Sequence, residues 1–200
     1  MIKTVIFDLG KVLVDFDYGI AERRIAARGR VKAEEVSALL CQSPLLPRYE
    51  TGLLTSAEFY REVCAATGFA GDLAEFVGCF GEIFSPIAPM VELQAQLRQR
   101  GVPTYVFSNT NEMALAVIRR DFPFLDHFDG CIYSFEHGAM KPNAKLYEVV
   151  ENRSGCRGAE ILYIDDRAEN VEAGAVRGWQ AILQETPEKT IAQVRKHGLI

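Results

Sequence analysis

The stretch VIFDLGKVLVDFD, residues 5–17, decides the fold. Val5, Ile6 and Phe7 form a continuous apolar run, and an acid, Asp8, ends it. A run without polar alternation is the mark of a parallel strand covered on both faces. Ligands of an open parallel sheet bind beyond the carboxyl ends of its strands. Asp8 therefore stands where such a sheet keeps its chemistry.

Four more runs repeat the pattern: PTYVFS (103–108), GCIYS (130–134), ILYID (161–165) and QAIL (180–183). Helical periodicity fills the spaces between the later strands, over Val91–Arg100, Glu112–Arg120, Ala144–Asn152 and Ala168–Arg177. Strand alternating with helix predicts βαβ units and an α/β fold on a parallel sheet. The segment from Tyr18 to Ser85 breaks the alternation. It carries no convincing strand, and GIAERRIAARG, KAEEVSALLCQ, SAEFYREVCAATG and DLAEFVGCFGEIF read as four amphipathic helices. Gly29 and Gly68 stand where C-terminal caps belong, and Thr55 with Glu58 forms a capping-box pattern. The expected organisation is a core of residues 1–16 and 86–200 with a helical insert at 17–85.

The composition is that of a soluble globular chain: 48% hydrophobic and 24% charged over 200 residues. A net charge of −5 argues against a nucleic-acid partner, because phosphate backbones select basic faces. Five cysteines without a C-x-x-C spacing argue against structural zinc. They fit a reducing, cytoplasmic setting, each as a small buried hydrophobe. No secretory leader is read at the N-terminus and no run is long enough for a membrane span, so no membrane partner is expected. Nothing marks an oligomeric interface.

The strand ends collect the functional candidates. Asp8 follows the first run, Ser108 and Asn109 end the second, and Asp165 and Asp166 end the fourth, with Asn170 four residues beyond. Lys141 lies in GAMKPN, after the third. Three carboxylates at one sheet edge repel unless a cation sits among them. Oxygen donors without His or Cys suit a hard ion such as Mg²⁺, which brings an anion, most naturally phosphate. Ser108 and nearby N–H groups would hold phosphate oxygens, Lys141 would add a point charge, and Asp8 would be the nucleophile.

FDLGKV, FSNT, KPN and YIDDRAEN resemble, in that order, the four motifs of the haloacid dehalogenase superfamily. The resemblance spans the whole chain. It implies a Rossmann-like three-layer core with an inserted α-helical cap and, in most members, Mg²⁺-dependent phosphatase activity on a small phosphorylated metabolite. By resemblance, Asp8 is nucleophile and metal ligand, the Gly10 carbonyl and Asp166 are further ligands, and Asp165 helps directly or through water. Ser108 and Asn109 would bind the transferring phosphate, Asn170 would support the last motif, and Lys141 would orient Asp8.

One position departs from the family's usual pattern. Most of its phosphatases carry a second Asp, the general acid, where this chain has Gly10. Dehalogenases of the family also lack that Asp and need no metal, so a 2-haloacid dehalogenase using Asp8 on carbon is one alternative. A non-catalytic member that binds a phosphate ligand or a partner is another. D-x-G-x-V-[LI]-V-D-x-D is most similar to the α-D-glucose-1-phosphate phosphatase-like branch, where Gly also stands here. An anomeric hydroxyl leaves more easily than an ordinary alcohol, so it loses less when general acid help worth ~10²–10⁴-fold is missing. Water, Asp15, Asp17 or His137 is expected to supply the remainder. For specificity the candidates are Tyr18, Phe59 and above all Arg48, Tyr49 and Glu50, which are expected in a loop between cap helices.

Overall fold

The computed structural model describes all residues, 1–200. Its central sheet has five parallel strands: β1 (Thr4–Phe7), β4 (Thr104–Ser108), β5 (Gly130–Tyr133), β6 (Ile161–Asp165) and β7 (Gln180–Leu183). The spatial order is β5-β4-β1-β6-β7. The chain thus leaves β1 first to one side and later to the other, which opens a crevice at the end of β1.

Side-chain alternation along β1 builds the three layers. Val5 and Phe7 pack with Met90, Leu93 and Leu97 of α6 (Ala88–Gln99) and Val194 of α11 (Pro187–Lys196). Ile6 points to the other face, into a core with Leu146, Tyr147 and Val150 of α9 (Ala144–Ser154) and with Trp179. Both faces are dry, which is why the strand sequence shows no polar alternation. α7 (Glu112–Asp121) follows β4, α8 (Ser134–His137) follows β5, and α10 (Ala168–Val176) connects β6 to β7.

Residues 18–79 form five helices with a hydrophobic core of their own: α1 (Tyr18–Ala27), α2 (Ala33–Cys41), α3 (Leu45–Glu50), α4 (Ser56–Thr67) and α5 (Leu73–Cys79). Phe76 is its hub, touching the rings of Phe59, Tyr60, Phe69 and Phe80. Thr55 caps α4 in a capping box with Glu58, and Gly68 ends it in a left-handed cap, as the sequence predicts. Gly29 does not act as a left-handed cap. Arg28 closes α1, and Gly29 is needed for close approach, because a Cβ there would stand 2.7 Å from the Thr67 carbonyl oxygen.

Two expectations fail for lack of length. Arg48, Tyr49 and Glu50, expected in a loop, belong to α3; six residues containing Pro47 are too few to show helical periodicity. A two-stranded antiparallel stem, β2 (Val14–Phe16) and β3 (Phe84–Pro86), joins the helical insert to the core. Its three-residue strands lie some seventy residues apart in sequence, so no turn signal links them. Of the five free cysteines, only Cys79 and Cys156 are buried, and Cys41 is exposed. No helix is long and apolar enough to cross a membrane.

The insert is also pinned from the side. Gly52 has a φ of +75°, and a Cβ on it would lie 2.2 Å from the Phe135 carbonyl oxygen. Gly101 has a similar φ of +73° but open space around it. Gly101→Ala is expected to cost the ~1–2 kcal/mol of a left-handed backbone. Gly52→Ala adds a backbone collision and is expected to cost distinctly more. Urea midpoints of the two variants check this, and equal losses would show that the contact at Phe135 is unimportant.

Candidate active site

The cleft lies at the carboxyl ends of β1, β4 and β6, roofed by the stem and α3, and encloses about 190 Å³. At its floor is one buried ammonium group. Lys141 Nζ donates to the Phe107 carbonyl (2.9 Å) and to Asp165 Oδ2 (2.6 Å), and pairs with Asp8 Oδ1 at 2.9 Å. Three donors thus meet three acceptors, which is the condition for burying a lysine at low cost. Burial alone would lower the Lys141 pKa, but Asp8 and Asp165 outweigh it and hold it above the usual lysine value.

The three acids differ in what satisfies them. Asp165 is fully buried, and its oxygens accept from Lys141, Tyr163 Oη, the Arg167 N–H (2.8 Å) and Asn170 Nδ2 (3.0 Å). Burial pushes its pKa up, yet Lys141 and these donors hold it below the ordinary aspartate value. Asp8 accepts from the Leu9 N–H (2.7 Å) and shares Lys141. Burial, with Asp165 beside it, raises the Asp8 pKa against the pull of Lys141. Asp166 is half-buried and accepts no hydrogen bond from another residue; burial and then Asp165 raise its pKa. Carboxylate oxygens of all three lie within 4.8 Å of one another. One ammonium does not offset three such charges, so the donor set fits one further hard cation.

Asn109 locks Lys141 in place. Its Oδ1 accepts the Lys141 N–H (2.7 Å), and its Nδ2 donates to the Lys141 carbonyl (3.1 Å). Its side chain is thereby occupied, so what it has left for an anion is its backbone N–H. Ser108 is buried and lines the cleft beside it. Asn170 reaches Asp165 and is the buried support of that side chain. Gly10 also lines the cleft; a Cβ there would meet Phe16 Cε1 at 3.0 Å, so the aromatic ring covers the place of a side chain.

The expected specificity residues separate. Glu50 and Tyr18 line the cleft. Arg48 does not; it pairs with Glu62 at 2.9 Å on the outer side of the cap. Tyr49 and Phe59 stack in the cap core, centroids 4.5 Å apart, and Tyr49 Oη bonds Ser56 Oγ and the Met113 N–H. Asp15 is paired with Lys11, and Asp17 caps α1 through the Gly19 N–H. His137 ends α8 and is absent from the cleft wall. Sequence reasoning missed Lys11, Arg167, Phe16 and Phe84 as cleft residues. Lys11 and Arg167 each lie within three residues of a candidate acid, but spacing alone does not separate them from solvated charges. The two phenylalanines depend on the unforeseen stem.

A family model described as haloacid dehalogenase-like hydrolase matches residues 2–178. The chain is 25% identical over 181 residues to a sesquiterpene phosphatase of Aspergillus oryzae, covering 88% of this chain and 86% of that one. It is 25% identical over 196 residues to a D-ribitol-5-phosphate phosphatase of Bacteroides thetaiotaomicron, covering 92% and 93%. A crystal structure of a Bacteroides thetaiotaomicron HAD family enzyme with magnesium and inorganic phosphate superposes with a TM-score of 0.80, at 22% identity over 91% of this chain and 93% of that one.

Removing the ammonium strands two buried carboxylates. Lys141→Met, studied with EDTA present, is expected to lose ~3–5 kcal/mol at neutral pH. In that variant the folded pKa values of Asp8 and Asp165 rise, so the folded state holds protons that the unfolded chain has released. The deficit therefore grows as pH rises from about 4 and shrinks in acid. Thermal melts across this range check it, and a deficit independent of pH would show that the loss is one of packing.

Proposed function

The chain belongs to the haloacid dehalogenase-like hydrolase family, and from that premise we propose that it is a Mg²⁺-dependent phosphatase of a small phosphorylated metabolite. The observation that carries this reading is the charge imbalance at the cleft floor: three clustered carboxylates against one ammonium. Asp8 and Asp166, whose oxygens are not saturated, would hold the ion with the Gly10 carbonyl, and Asp165 stands behind them, bound to Lys141 and Asn170. When bound, the ion supplies positive charge that screens the acids and draws in the phosphate.

The chain's own residues then do the following. Lys141 keeps Asp8 ionised and aimed, so that an Asp8 oxygen attacks phosphorus and the ester bond to the alcohol breaks. Ser108 Oγ and the Asn109 N–H take phosphoryl oxygens. The cap roof keeps bulk water from the aspartyl-phosphate until the alcohol has left, and one water then opens it.

The relatives are named for a sesquiterpene and for D-ribitol 5-phosphate, so the alcohol is not a family constant. For this chain we favour a sugar 1-phosphate. Phe16, Tyr18 and Phe84 line the cleft and would pack on the C–H face of a sugar ring. Expected in a panel of phosphomonoesters is phosphate release that requires Mg²⁺, stops in EDTA, falls to background in Asp8→Asn and is fastest on anomeric esters. Dehalogenation of haloacids that persists in EDTA, with no phosphate released, would overturn the proposal.

A further inference from the structure

The cleft contains one carboxyl group that the scheme above leaves idle. Glu50, the last residue of α3, lines the same cavity as Asp8 and Gly10. Its side chain has no hydrogen bond or ion pair to any protein group, whereas Asp8, Asp15, Asp17 and Asp165 all do. Its backbone is fixed to the catalytic side of the molecule. Buried Ser134 donates its hydroxyl to the Glu50 carbonyl (2.5 Å) and accepts the Thr110 N–H (3.0 Å), two residues from Ser108. Gly52, two residues on, is pressed against Phe135. Glu50 is thus held from the core, at the roof of the cleft that Asp8 also lines.

Resting on the phosphatase reading, we propose that Glu50 supplies the proton that Gly10 does not: it protonates the leaving oxygen as Asp8 attacks phosphorus. The bond from Asp8 to phosphorus forms while the bond from phosphorus to the ester oxygen breaks. The electron pair stays on that oxygen, which takes the Glu50 proton and departs as a neutral alcohol. Glu50, now a carboxylate, accepts a proton from the water that cleaves the aspartyl-phosphate, which yields inorganic phosphate and restores both residues. The environment suits the role. Burial pushes the Glu50 pKa up to about 7, partly opposed by Arg167, so the protonated form is populated near neutral pH. A Cβ at position 10 would stand 3.0 Å from Phe16 Cε1, so an acid there would have to shift that ring, whereas Glu50 needs no such movement.

The test is a leaving-group series of nearly constant shape, phenyl, 4-cyanophenyl and 4-nitrophenyl phosphate, hydrolysed with Mg²⁺ by wild type and by Glu50→Gln. The 4-nitrophenolate ion leaves without a proton, and phenolate gains most from one. Expected is a loss in kcat/KM of ~10²–10⁴-fold on phenyl phosphate that nearly disappears on 4-nitrophenyl phosphate. An equal loss across the series, or none, overturns the role of Glu50 and leaves the phosphatase reading standing. No phosphate from any ester with wild type overturns both. Should Glu50→Gln not fold, wild type alone decides through its pH profiles. The phenyl ester should lose rate as pH rises through the ionisation of Glu50, and the 4-nitrophenyl ester should not. Lys11, Tyr18, Lys141, Asp166, Arg167 and Asp8 also face the cleft, but none is assigned to the leaving oxygen, so what they contribute is common to both esters. Coincident profiles would reject the proposal.

Discussion

The ammonium group of Lys141 is the interaction on which the rest of the site depends. It sits under the sheet edge, bonded to the Phe107 carbonyl and to Asp8 and Asp165, with Nζ 5.0 Å from the centroid of the Phe107 ring. A buried lysine is costly unless every donor is matched, and here every donor is. The same atom ties together the ends of β1, β4 and β6, three neighbouring strands whose loops would otherwise be free to splay. It also divides the labour of the acids. Asp165 takes most of the donors and is the structural anion; Asp8 shares the cation and keeps an oxygen toward the cleft; Asp166 is left without a protein partner. Reactivity and rigidity are thereby placed on adjacent carboxylates.

Around this floor the helical insert acts as a roof with two attachments. The β2–β3 stem carries the chain out and back and brings Phe16 and Phe84 over the cleft. Ser134 and the Gly52 contact hold the end of α3 against α8, which follows β5. The first attachment makes the wall apolar, and the second delivers a lone carboxyl group to it. Under the proposed function, a phosphate would meet hydrogen-bond donors below and an aromatic lining above, a division that fits a small ester whose alcohol part is chosen by the roof.

The legible part of the sequence was the part governed by strand ends. Asp8, Ser108 and the Asp165–Asp166 pair each follow an apolar run, and a parallel sheet places all such ends on one edge. Asp8, Ser108, Asp165 and Asp166 needed no further information to be gathered there. Lys141 lies in the loop before α9 and Asn170 in the first turn of α10, and they were legible only through their order and spacing relative to those ends. The roof was poorly legible. LLPRYE is too short for a period to emerge, so Arg48, Tyr49 and Glu50 were indistinguishable as candidates, although the helix turns them to three different environments: an outer ion pair, the cap core and the cleft.

The sequence by itself determined the parallel sheet, the place of the helical insert and most of the residues gathered at the cleft edge of the sheet. These follow from local hydrophobic periodicity, which every few residues report afresh. The tertiary structure alone decided which acid is saturated and which is free, that the Asn109 side chain grips Lys141, that Phe16 covers Gly10, and that Glu50 enters the cleft. Those outcomes depend on contacts between segments tens of residues apart. They are set by side-chain packing and by the matching of donors to acceptors, neither of which leaves a local pattern in the chain.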